Sequence, residues 1–234
     1  MSAWLVFAPS RTDDDALINR AWIAAQTIAC APRPPTVLDG TGAVRAALEA
    51  HVRATPELSG LAFFGHGASD RLFDANRSPA DSDGPAAIDT ENVHLLRGCW
   101  IHAFACLSGM TLATRAVALG AALYVGYQTP LDVGWTVPPP AEREFVEMVT
   151  CVTLALLAGE RDERKLKATV SRTVDAFFIA LESVPDVDQI PGWMWLHKLG
   201  QDLVDSLVVV RAGVAIASRA PAPVPQPRGG WEPA

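Results

Sequence analysis

Hydrophobic and polar positions alternate along this chain between short apolar runs and amphipathic stretches. Ala3 to Ala8 (AWLVFA) is an apolar run closed by Pro9 and Ser10, which predicts a first strand. Asp13 to Asp15 follow where a helix N-terminus favours negative charge. ALINRAWIAAQTIA then carries helical spacing until Pro32, Pro34 and Pro35 stop it. TVLDG reads as a short second strand with a turn, and Thr41 to Ala54 as a second amphipathic helix. Leu61 to Phe64 (LAFF) is a third strand, stopped by Gly65-His66-Gly67.

Residues 68–92 break the pattern: they are polar, carry five Asp and hold no sustained period. They predict a long loop, and a loop of that length inside a compact domain is usually functional or disordered. A helical turn at Val93 to Leu96 leads to a fourth strand, Trp100 to Ala105 (WIHAFA), which ends at Cys106. Gly109 to Leu119 reads as a helix and Ala121 to Tyr127 as a fifth strand. Beyond Pro138-Pro139-Pro140 come helices at Ala141 to Ala158, Glu163 to Ser183 and Trp193 to Asp205, then LVVV as a sixth strand. This alternation predicts an α/β fold: a doubly wound, mostly parallel sheet of about six strands flanked by helices. Residues 1–218 form one domain in this reading, and the Pro/Gly-rich residues 219–234 a flexible tail.

Composition narrows the function. Half of the 234 residues are hydrophobic, which suits a sheet covered on both faces. A net charge of -7 without any basic stripe argues against nucleic acid as a partner. The most apolar helical stretch, Val146 to Ala158, is 13 residues long and contains Glu147, so no membrane span is expected. The four cysteines, Cys30, Cys99, Cys106 and Cys151, form no CxxC pair, and no Cys/His cluster has zinc spacing. Neither metal nor other cofactor is expected. With no basic leader before AWLVFA, the reading is a cytoplasmic protein with reduced thiols.

Two reactive residues remain. His66 follows LAFFG and Cys106 follows WIHAFA, so each stands at the carboxyl end of an apolar strand, where doubly wound sheets bind ligands. If the strands are neighbours, both side chains emerge at one sheet edge. An imidazole beside a thiol can take its proton and raise its nucleophilicity. Gly65 and Gly67 let the chain turn sharply about His66. The amides of Gly67 and Cys106 are placed to hold an oxyanion, and Ser108 stands where it would cap the following helix.

The block FFGHG resembles the strand-His-Gly block of caspase-like peptidases. FACLSG resembles their strand-Ala-Cys block, with the Ser-Gly found in metacaspases and bacterial CHAT-domain proteins. The succession of GAALYVGYQTPLD and two helices downstream is similar to the CHAT layout, so the likeness covers roughly residues 61–183. The resemblance implies a cysteine endopeptidase with His66 as base, Cys106 as nucleophile and the Gly67 and Cys106 amides as oxyanion hole. It implies a protein or peptide substrate and a regulatory protein acting in trans, in a bacterial defence or cell-death setting. The Gln-Ala-Cys-x-Gly form of true caspases is missing, so aspartate specificity is not implied. Asp132, in QTPLDVGW, lies where such folds border the pocket for the residue before the scissile bond. There an acid would favour Arg or Lys substrates.

Each assignment has a plainer alternative. Taken without His66, Cys106 reads as a small core residue, and Asp132 reads equally as a turn aspartate. The plainer whole is a catalytically silent caspase-like module that binds a partner. His102 alternates with Cys106 deeper in the strand and reads as a packing histidine, and His51, His94 and His197 as surface or packing residues. Cys99 lies at the opposite strand end from Cys106, and Cys30 and Cys151 read as filler on apolar helix faces. Trp193 and Trp195 are candidates for a cleft lining or for core, and the loop 68–92 for an activation or gating segment. A serine hydrolase through Ser108 lacks the Gly-x-Ser-x-Gly elbow, and a dinucleotide site lacks a Gly-rich loop after the first strand.

Overall fold

The computed structural model describes residues 3–11, 15–77, 84–134 and 136–212. Asp13, Asp14 and the tail 219–234 lie outside the described residues, as does the boundary at 218. The strands are β1 (Ala3–Pro9), β2 (Thr36–Gly40), β3 (Leu58–Phe64), β4 (Arg71–Phe73), β5 (Ala86–Asp89), β6 (Trp100–Phe104), β7 (Leu123–Tyr127) and β8 (Leu207–Arg211). The helices are α1 (Asp15–Cys30), α2 (Arg45–Ala54), α3 (Thr111–Ala118), α4 (Glu142–Leu157), α5 (Glu163–Glu182) and α6 (Trp193–Asp205).

Six strands form one sheet in the order β2-β1-β3-β6-β7-β8, parallel except that β8 runs antiparallel to β7. The inner strands β1, β3, β6 and β7 are apolar on both faces because their side chains meet a helix layer whichever way they point. Along β1, Trp4, Val6 and Ala8 enter one core with residues of α1, α4, α5 and α6. Leu5 and Phe7 enter the other, with residues of α2, α3 and the β4–β5 hairpin. The same alternation splits Ala62 and Phe64 from Leu61 and Phe63 on β3, so a one-residue slip would exchange the contents of both cores. The chain runs outward from β1 to β2, then returns past β1 to β3. The order therefore reverses between β1 and β3, the place where such sheets open a crevice at their carboxyl edge.

The doubly wound, mostly parallel sheet is thus present, with three local differences. Residues 68–92 are not wholly irregular: β4 and β5 pair as a short antiparallel hairpin. Strands of 3 and 4 residues are too short to display a period among five aspartates. The helix expected from Thr41 begins at Arg45, after a turn through Gly40 and Gly42. Cys30 is exposed at the end of α1 rather than packed on an apolar face, whereas Cys151 is buried in α4. No described helix is long and apolar enough to cross a membrane.

Candidate active site

Strands β3 and β6 are hydrogen-bonded neighbours in register, with Phe64 opposite Phe104 at their carboxyl ends. Gly65 N–H still donates to Phe104 O at 3.4 Å, after which the chains part. His66 and Cys106 stand at matching positions beyond that last pair, so both leave the sheet at the same edge, as expected. Fully buried phenylalanines anchor both strand ends: Phe63, Phe64 and Phe104 have no exposed surface.

Gly67 is demanded by space. A Cβ there would lie 2.7 Å from Cys106 O and 2.9 Å from Ala105 Cβ, so the backbone after His66 rests directly on the backbone of the cysteine. Gly67 faces Leu72 in an antiparallel bridge whose bonds are donated by Ala68 and Phe73, which leaves the Gly67 N–H outside that bridge. The hairpin thereby closes one side of the site.

Beyond Cys106 the chain turns abruptly. Leu107 adopts φ 55°, a left-handed conformation costly for a branched side chain, and its N–H donates to Thr129 O at 3.2 Å. Ser108 is not the helix cap the sequence predicted. It is buried, its single hydroxyl proton is shared between Ala103 O (2.8 Å) and Ala105 O (2.9 Å), and its oxygen accepts from the Tyr127 N–H at 3.2 Å. It stitches the end of β6 to the end of β7. The residue flanking α3 is Met110, which makes no side-chain cap bond. Gly109 completes the stitch: its N–H reaches Tyr127 O at 2.8 Å, and a Cβ on it would meet Tyr127 N at 2.9 Å.

The half-buried Cys106 Sγ faces donors. Leu131 N–H points to it at 3.3 Å, and Arg20 Nη2 lies 3.6 Å away. Arg20 is a site residue that sequence reasoning missed. It sits on α1 with 2% of its surface exposed, Nη1 donates to His66 Nδ1 at 2.9 Å, and Nη2 donates to Leu131 O at 2.9 Å. Its Nε is buried without a partner. Among the described residues its contacts are thus an imidazole nitrogen, a sulfur and a carbonyl, with no carboxylate. The neighbouring Asn19 donates to Val133 O at 2.8 Å, so two successive residues of α1 fasten the segment after β7 over the site. The available signal was positional. Arg20, Ile23, Ala24 and Thr27 are all buried and lie on one helical stripe, so the arginine occupies an inward position.

Asp132 is exposed, and its Oδ1 accepts from Gly134 N–H at 3.2 Å, the geometry of an aspartate-centred turn. It stands one residue past Leu131, whose amide and carbonyl border the thiol. His102 is distant in character from the site. It is fully buried, with Nδ1 2.6 Å from Thr153 Oγ1 and Nε2 3.3 Å from Tyr127 OH, and burial pushes it down to about 3. Cys99 opens the other end of β6; its thiol donates to Leu58 O and burial pushes it up to about 11. His197 stacks on Phe178 at 4.6 Å and meets the edge of Trp193. Trp195 is exposed on α6.

The chain matches no protein-family model, and the search of curated proteins finds no match. Among solved structures it is similar to a secreted C11 cysteine protease from Bacteroides thetaiotaomicron, solved in complex with an irreversible peptide inhibitor. The identity is 11% and the TM-score 0.42, over 82% of this chain and 63% of that one.

Proposed function

We propose that this chain is a caspase-like cysteine endopeptidase with Cys106 as nucleophile and His66 as base. One observation carries the reading: a half-buried cysteine and a histidine leave adjacent parallel strands at the same sheet edge, beside donors suited to negative charge. In the forward step His66 takes the thiol proton while Cys106 Sγ bonds to the scissile carbonyl carbon. The oxyanion is held by the Gly67 and Cys106 amides, and the C–N bond breaks as His66 passes its proton to the leaving amine. Water then attacks the thioester with His66 again taking the proton, and the acid product leaves the restored thiol.

The position of Asp132 beside Leu131 supports a preference for Arg or Lys before the scissile bond. Regulation by a protein in trans, within a bacterial defence or cell-death system, follows from the likeness of FACLSG to CHAT-domain proteins. Cytoplasmic location is supported by four free thiols. A silent binding module is the second reading. It is favoured by the Arg20 contact to His66 Nδ1, which occupies an imidazole nitrogen with a donor other than the thiol.

Peptidyl acyloxymethyl ketones carrying Arg or Leu at the terminal position test the reading, because a covalent adduct accumulates even when reaction is slow. The expected result is an adduct on Cys106 in preference to the more exposed Cys30, formed faster with Arg than with Leu, and none on Cys106→Ala. Equal labelling of Cys30 and Cys106, or none of Cys106, would sink the peptidase. Loss of the Arg preference in Asp132→Asn is expected, and its persistence would remove Asp132 from the pocket.

A further inference from the structure

We infer that Arg20 is a built-in latch that holds the dyad uncoupled in the resting chain, an inference that rests on the peptidase reading above. A guanidinium has only donors, so the 2.9 Å contact from Nη1 uses the lone pair of His66 Nδ1. A neutral imidazole has one such lone pair, and its proton must then sit on Nε2. Whichever ring nitrogen faces Cys106, His66 has nothing left with which to accept the thiol proton. The same guanidinium approaches Cys106 Sγ at 3.6 Å and holds Leu131 O at 2.9 Å, so one side chain engages both members of the dyad and the segment beside them.

Among the described residues, the latch is held by packing and neutral acceptors rather than by an acid. A buried charge without a carboxylate partner is costly, and the unpartnered Nε adds to that cost. Release is also built in. Leu131 N–H touches the sulfur, Leu131 O holds Arg20, and Val133 O holds Asn19. Movement of the 131–133 segment away from the sheet edge therefore withdraws the anchor of Arg20 and uncovers the thiol in one event. The Arg20 donor then no longer occupies the His66 Nδ1 lone pair.

The test is the alkylation rate of Cys106 by iodoacetamide, followed by peptide mass in wild type, His66→Ala, Arg20→Met and the double variant. The exposed Cys30 serves as reagent reference, and continued protection of buried Cys99 and Cys151 reports that each variant is folded. His66→Ala should change the wild-type rate by less than about twofold, yet lower the Arg20→Met rate by at least about fivefold, because coupling appears only when the arginine is gone. Arg20→Lys, whose single ammonium cannot span both contacts, should give a partial effect. An equal His66→Ala effect in both backgrounds would overturn the latch. Coupling with no ketone adduct on Cys106 retains the latch and drops the peptidase; an adduct without coupling does the reverse.

Discussion

Strand β6 is flanked by Cys99 and Cys106 and carries a histidine in its middle, and its two flanks have opposite surroundings. At the amino end Cys99 is sealed under Leu58, with its thiol pushed up to about 11 by burial. His102 is equally sealed, and neutral because burial pushes it down to about 3. At the carboxyl end Cys106 is half-buried, faces an N–H and a guanidinium, and shares that guanidinium with His66 from the end of the neighbouring strand. The residue types are the same. What would separate a structural thiol from the proposed nucleophile is whether the strand end opens onto polar donors or onto packed hydrocarbon.

The sharpest way to break this comparison is to remove each cysteine in turn. Cys106→Ala should abolish ketone labelling and, in the Arg20→Met background where the dyad is coupled, lower peptide cleavage at least about 10³-fold, the scale on which a covalent nucleophile is lost. Cys99→Ala should leave both within about twofold and cost stability, by about 1–2 kcal/mol in a urea titration, through the space left under Leu58. If Cys99→Ala impaired labelling as much as Cys106→Ala, the two strand ends would not be chemically distinct.

A second effect, several-fold smaller, concerns His102. Its folded-state pKa is depressed from 6.5 to about 3 by burial. In the interval between those values the unfolded chain binds a proton that the folded chain refuses. Stability therefore rises with pH there, is fully present above about 6.5, and is lost as pH falls towards 3 at about 1.4 kcal/mol per unit. The advantage of wild type over His102→Gln in urea should accordingly shrink as pH drops from 7 to 5. A constant difference would mean that His102 accepts a proton in place and that the middle of β6 is not sealed.

The contrast also explains what the sequence disclosed. LAFF and WIHAFA announce themselves because parallel strands covered on both faces are continuous apolar runs, and reactive residues at their ends are placed by topology alone. The core role of His102 was legible from its alternation with Cys106. Arg20 was not, since an arginine in an amphipathic helix ordinarily faces water; only its place on the Ile23, Ala24, Thr27 stripe marks it as inward. Ser108 misled because Ser after a strand and before a helix has the signature of a cap. Here its oxygen serves three backbone groups of β6 and β7 instead, and that choice is made in three dimensions. The hairpin of β4 and β5 was hidden by length, and its contact with Gly67 by distance along the chain.

The smallest effect sits at Leu107, and it asks whether the open end of β6 is held under tension. Two described non-glycine residues have positive φ: Asp186, in the turn between α5 and α6, and Leu107, immediately after the candidate nucleophile. An aspartate tolerates this region through local hydrogen bonding, whereas leucine there costs about 1–2 kcal/mol. Replacing Leu107 with glycine removes that cost but adds about 0.5–1 kcal/mol of unfolded-state entropy. Leu107→Gly should therefore leave stability unchanged or raise it by up to about 1.5 kcal/mol, while slowing ketone labelling of Cys106 by a few-fold as the turn loosens. Stability up and labelling down would show that the fold spends conformational energy to present the thiol. Stability down with labelling unchanged would mean that the Leu107 side chain is there for packing, and that the geometry of Cys106 is set by the stitch at Ser108 and Gly109.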